Sequence, residues 1–181
     1  MDYRTYPTTR KNIRTISNKM REFFGYGKDE KINPLLCLDR VGEIIEGSIY
    51  EVVDDDKLPY NVPAECKSRK DKSYKILIKE SVYKKAYENN DEASRDYIMH
   101  EICHLFMFAL GYTPIIERSF NNCELKAYES VEWQAKALCG EFMIPYEYSK
   151  NMSMLEIMEK YGVSASQANY RISLKEWRLF C

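Results

Sequence analysis

His100 and His104 are the only two histidines in this 181-residue chain, and they stand in the run His100-Glu101-Ile102-Cys103-His104. At positions i and i+4 of a helix, two imidazoles share one face about a turn apart, close enough to grip a single metal ion. Glu101, beside the first histidine, can reach a water on such a metal and take its proton. That is the chemistry of metal-assisted hydrolysis. The competing account is a buried helix whose histidines are core residues bonded to backbone or water.

A catalytic zinc takes three protein ligands and keeps a fourth position open for water. Downstream of His104 the chain has no histidine and no aspartate, so a third ligand from that half is a glutamate or, less suitably, a cysteine. The longer motif with a glycine and a third histidine is excluded, because Met107 and Leu110 occupy those places. Glu117, Glu124, Glu129, Glu132 and Glu141 are within reach. Glu132 heads a helical face continued by Ala135, Leu138, Cys139 and Phe142, whose small members allow close approach to the histidine helix. A carboxylate on such an inner face is costly without a cation, and zinc supplies one. Glu132 is the expected third ligand, with Glu129 as its fallback or supporting neighbour. Asp96, one turn before His100, is either an orienting partner of the site or a surface residue. Tyr97, Tyr128 and Tyr146 are candidate donors to the oxyanion, no further histidine being available.

These residues need elements to hold them. Ile13, Ile16, Met20 and Phe23/Phe24 predict a helix over 8–24, capped by Thr8 or Thr9 and stopped by Gly25. Pro34 opens a second helix running to about Gly47. Strands are expected at 49–53, 62–67 and 74–79, making a small, mostly antiparallel sheet whose last strand, if an edge, could pair with an extended substrate. A short helix follows at 82–87. The histidine helix begins after an N-cap at Asn90 or Asp91 and ends at Gly111. A second long helix spans about Glu124 to Ile144, and 154–172 reads as helix, glycine turn, helix. The fold class expected is α+β, in one domain over 1–181: N-terminal helices (about 8–46), sheet (about 48–79), catalytic helices (about 91–145) and a C-terminal helix pair (about 151–175).

Composition narrows the function classes. The chain is 45% hydrophobic and 30% charged, as soluble globular proteins are, and its net charge of -1 argues against a dedicated nucleic-acid binder. No run approaches a membrane span, and the start lacks the apolar core of a signal peptide. A cytoplasmic protein is expected, its six cysteines free thiols without any Cys-x-x-Cys pair.

The two motifs together resemble the ImmA/IrrE-type zinc metallopeptidases. That family's pattern looks like Arg-x-x-x-x-His-Glu-x-x-His, followed further on by Glu-x-x-Ala-x-x-x-small and a closing Pro. Arg95, His100, Glu101, His104, Glu132, Ala135, Cys139 and Pro145 stand at matching places. The departures are Cys103, where the family commonly has glycine, and Met99, where it has alanine. The likeness extends over about 8–175 and implies a zincin-like domain, with Zn2+ on His100, His104 and Glu132 and Glu101 as general base. It also implies a protein substrate, a helix-turn-helix repressor of a mobile element or stress regulon. Two other readings compete. One is a non-catalytic regulator acting on a partner or DNA through the C-terminal helices, though 151–181 is nearly charge-balanced. The other is a hydrolase of something other than protein.

Overall fold

The structure, a computed structural model, describes residues 2–115 and 125–176. Helix α1 (Arg10–Phe24) buries the predicted stripe of Ile13, Ile16, Met20 and Phe24. The Thr9 side chain accepts from the Asn12 N–H at its start, and Gly25, at φ 79°, ends it in the left-handed region where a Cβ is strained.

The stretch after Pro34 is not one helix but two, α2 (Pro34–Leu38) and α3 (Val41–Ile44). Arg40 stands at the break. Its guanidinium donates to the Phe23 and Phe24 carbonyls at the end of α1 and pairs with Glu43 at 2.7 Å. The residue that closes α1 from outside is thus the one where the helix yields.

Strands β1 (Ile49–Val53), β2 (Ala64–Ser68) and β3 (Tyr74–Lys79) form a three-stranded sheet in the order β1-β3-β2. β3 is antiparallel to β2 and parallel to β1, so the sheet is mixed. β3 carries the fully buried Ile76 and Ile78 and lies in the middle, with both its sides hydrogen-bonded. The conditional expectation of an edge at 74–79 is therefore overturned. The edge against the histidine helix is β2. Lys79 N–H donates to the Pro63 carbonyl and Arg69 N–H to the Ser73 carbonyl. Odd-numbered residues of this stretch therefore face β3, and the strand's alternation turns the N–H and C=O groups of Ala64, Cys66 and Ser68 outward.

Helix α4 (Glu80–Glu88) follows β3 directly, and α5 (Glu92–Ala109) starts where the Asp91 carboxylate accepts from Ser94 N–H at 2.8 Å. Helix α5 runs through the middle of the core, with Ile98, Met99, Ile102, Cys103 and Leu105 wholly buried. Helix α6 (Val131–Met143) begins later than the predicted Glu124, which lies outside the described residues. A single 3-10 turn (Ala127–Glu129) precedes it, and extended Ser130 caps it by accepting from Trp133 N–H. Ser130 is held extended by a bridge to Arg4. The N-terminal segment, to which the sequence assigned no element, runs beside this start: Thr5 N–H donates to the Glu129 carbonyl at 2.7 Å and Val131 N–H to the Tyr3 carbonyl at 3.0 Å.

A short α7 (Tyr146–Ser149) follows Pro145, and then the predicted pair, α8 (Met154–Tyr161) and α9 (Ala165–Glu176), turns at Gly162. Arg171 of α9 is buried and donates to Glu141 Oε1 at 3.0 Å and to the Gly140 carbonyl at 2.7 Å. Lys160 of α8 pairs with Asp29. These cations are spent internally rather than displayed to a phosphate backbone. The architecture is α+β, with α5 packed against α2, α4, α6 and the sheet, and no described helix is long and apolar enough to cross a membrane.

Candidate active site

Helix α5 brings His100, Glu101 and His104 together, with one ligating atom from each lying within 4.8 Å of the others. The two Nε2 atoms of the histidines are 3.1 Å apart. Glu132, in the first turn of α6, reaches across so that Oε2 is 3.3 Å from His100 Nε2 and Oε1 is 3.4 Å from His104 Nε2. Donors about 2.0–2.2 Å from a tetrahedral zinc stand about 3.3–3.5 Å from one another. The spacing found here suits a divalent cation between the three side chains.

Burial differs among them. His104 is nearly buried and His100 about three-quarters so, while the Glu132 side chain is 53% exposed. Glu132 therefore does not sit on the packed inner face expected of it; that face starts with Ala135, and Glu132 stands at its rim. Its hydrogen bonds with His100 and His104 hold its carboxyl well below the usual carboxylate range. Glu101 is shifted the other way. Burial pushes its carboxyl up, against the pull of His104, His100 and the Cys66 N–H, which donates to Oε2 at 2.8 Å.

A cleft of about 610 Å3 opens on Glu101, His104 and Glu132. The outward side of β2 lines it through Ala64, Cys66 and Ser68, and the N-terminal segment and α6 contribute Tyr3 and Val131. Beyond His104 the lining is aromatic. Phe108 lies 5.7 Å from His104, ring to ring, and stacks on Tyr74 at 5.2 Å.

Other residues singled out in the sequence go elsewhere. Glu129 pairs with Arg4 at 3.9 Å, and Glu141 is buried between Arg14 and Arg171. Glu117 and Glu124 lie outside the described residues. Asp96 is buried, but Oδ2 accepts from Ser164 N–H at 3.2 Å, so it anchors the start of α9 instead of lying free on the surface. Arg95 clamps the turn before α5, donating to the Ala86 carbonyl and Asn90 Oδ1. Tyr97, Tyr128 and Tyr146 are not in the cleft lining, whereas Tyr3 and Tyr74 are. No sequence signal marked Tyr3, Cys66 or Tyr74, because each reaches the site through tertiary pairing. Cys103 is accommodated without loss of α5: it packs against Cys139 of α6, and Cys37, Cys66, Cys103 and Cys139 are all free.

Two imidazoles on one helix, faced by a carboxylate from the next, form a candidate divalent-metal site beside the cleft, an arrangement that suits a metal-dependent hydrolase. Residues 70–173, more than half of the chain, match the family model Peptidase_M78, described as the IrrE N-terminal-like domain, and the chain belongs to that family. It is thus a metallopeptidase of the ImmA/IrrE type. The match runs from within the β2–β3 turn to α9 and includes both helices of the site, while α1, β1 and β2 lie outside it. A comparison with curated proteins returned no match.

Proposed function

We propose that the chain is a zinc-dependent endopeptidase in which His100, His104 and Glu132 hold the metal and Glu101 is the general base. The observation that carries this is the mutual approach of the three donors at 3.1, 3.3 and 3.4 Å, with Glu101 next to them in the same cleft. Zinc bound there supplies Lewis acidity, polarising a scissile carbonyl and bringing the pKa of a water toward neutrality. Glu101 is held through Oε2 by the Cys66 N–H, which leaves Oε1 to accept a proton from the attacking water and pass it to the leaving amine. Partial burial raises its basicity toward the working range. The outward edge of β2 supplies main-chain groups for an extended peptide, and the Tyr74–Phe108 pair supports an apolar side chain beside the scissile bond. Tyr3 and Tyr74, which line the cleft, are the candidate donors to an oxyanion.

The substrate is an intracellular protein, and the resemblance stated above supports a helix-turn-helix repressor whose cleavage derepresses a mobile element or stress genes. The test is zinc analysis combined with incubation against candidate repressors, comparing the wild type with Glu101→Ala. The expected result is one zinc per chain in both and cleavage only by the wild type. Full cleavage by zinc-loaded Glu101→Ala would sink the assigned base, and a wild type that takes up no zinc would favour a non-catalytic regulator.

A further inference from the structure

Glu132 is a half-exposed side chain at the first turn of a helix, a place where rotamer freedom is high and where the backbone N–H groups lack intrahelical partners. Something must fix the start of α6 if its carboxylate is to meet both histidines. Ser130 caps the Trp133 N–H, at 2.9 Å, but the Glu132 N–H is left over by that cap. It donates instead to Asp2 Oδ1 at 3.2 Å, and Asp2 Oδ2 accepts from the Ser130 hydroxyl at 2.5 Å. One carboxylate therefore orders both the cap residue and the residue whose side chain reaches the histidines.

Asp2 is itself held in register. Val131 N–H donates to the Tyr3 carbonyl, Thr5 N–H to the Glu129 carbonyl and Ile115 N–H to the Arg4 carbonyl, at 3.0, 2.7 and 2.8 Å. The segment is thus tied on both sides, and Tyr3, next in sequence, enters the cleft. Asp2 is exposed and is not a member of the hydrophobic core, so its loss opens no cavity there. A negative charge at the N-terminus of α6 is also favoured by the helix dipole.

We infer that Asp2 is a positioning residue for the metal site, acting through the Glu132 backbone and the Ser130 hydroxyl to hold the third donor in place. This rests on the reading of Glu132 as a ligand. Outer residues that orient metal ligands are worth roughly 10–100-fold in metal affinity.

The test is a zinc competition titration against a chromophoric chelator, using the full chain as wild type, Asp2→Ala, Asp2→Asn and Glu132→Gln. Thermal unfolding of each metal-free form runs alongside. Expected is a roughly 10–100-fold weaker affinity in Asp2→Ala, a partial return in Asp2→Asn, which keeps one acceptor oxygen, and metal-free melting close to the wild type. If Asp2→Ala binds zinc like the wild type while Glu132→Gln does not, the inference is overturned and the ligand stands. If Glu132→Gln also binds like the wild type, the ligand reading itself fails. A drop in metal-free melting as large as the loss of affinity implies would reduce Asp2 to a structural cap and overturn the inference too.

Discussion

The backbone N–H of Cys66 donates to Glu101 Oε2 at 2.8 Å, so the outer strand of the sheet and the histidine helix meet at the proposed base. The thiol takes no part in that bond. Cys66→Ala is therefore expected to keep activity within about twofold, whereas Cys66→Pro removes the donor from an outward-facing position and leaves the β2–β3 ladder intact. A hydrogen bond to a carboxylate lowers its pKa, so losing this one raises the Glu101 pKa. The acidic limb of the kcat/KM profile should move to higher pH in Cys66→Pro, with kcat falling by about tenfold or more. An unmoved limb would show that Cys66 does not tune the base.

Metal binding should be visible as stability. A ligand that binds only the folded state adds about 4 kcal/mol at a thousandfold excess over its Kd. Zinc is expected to raise the Tm of the wild type and of Glu101→Gln, and to leave His100→Ala and His104→Ala unmoved. A chelator should reverse the shift and abolish peptide cleavage, and added zinc should restore both. Differential scanning calorimetry with and without the metal decides it.

The Arg171–Glu141 pair carries a purely structural prediction. Both side chains are almost wholly buried and 3.0 Å apart, with Arg14 joining Glu141 at 3.3 Å. Glu141→Ala leaves a buried guanidinium without its counter-charge, at a cost of about 3–5 kcal/mol. Denaturant unfolding should show that loss, while zinc stoichiometry and the activity of the folded fraction stay at wild-type levels. A comparable loss of zinc would mean that Glu141 acts on the metal site after all.

Asp96 should make stability depend on pH. Burial pushes its carboxyl up to about 6, and Oδ1 has no hydrogen-bond partner among the described residues. Its unfolded pKa is about 3.9, so the folded state binds the extra proton between the two values. The contribution is full below about pH 4 and is lost as pH rises through about 6. Asp96→Asn keeps an acceptor for Ser164 and carries no charge to bury. It should be more stable than the wild type at pH 8, by up to about 3 kcal/mol, and the difference should shrink toward pH 4. Unfolding curves at the two pH values test the sign.

What the sequence determined by itself was the local part of the site. The spacing of His100, Glu101 and His104 places them together on any helix, whatever that helix packs against, and the caps at Thr9, Asp91 and Gly162 are likewise short-range. Glu132 was reachable because so few alternatives remained after His104, and the structure brings it to the histidines although it lies on the rim and not in the packed face. Tertiary pairing decided the rest. That β2 is the edge and β3 the centre depends on the parallel pairing of β1 with β3, which alternation within one strand cannot express. The late start of α6 depends on Arg4 and Ser130, 126 positions apart, forming a bridge. Cys66 at the base, Tyr3 and Tyr74 in the cleft, Asp96 on Ser164 and Asp2 on Glu132 are contacts of the same kind, made by backbone groups and ordinary side chains that become specific only once the chain has closed on itself.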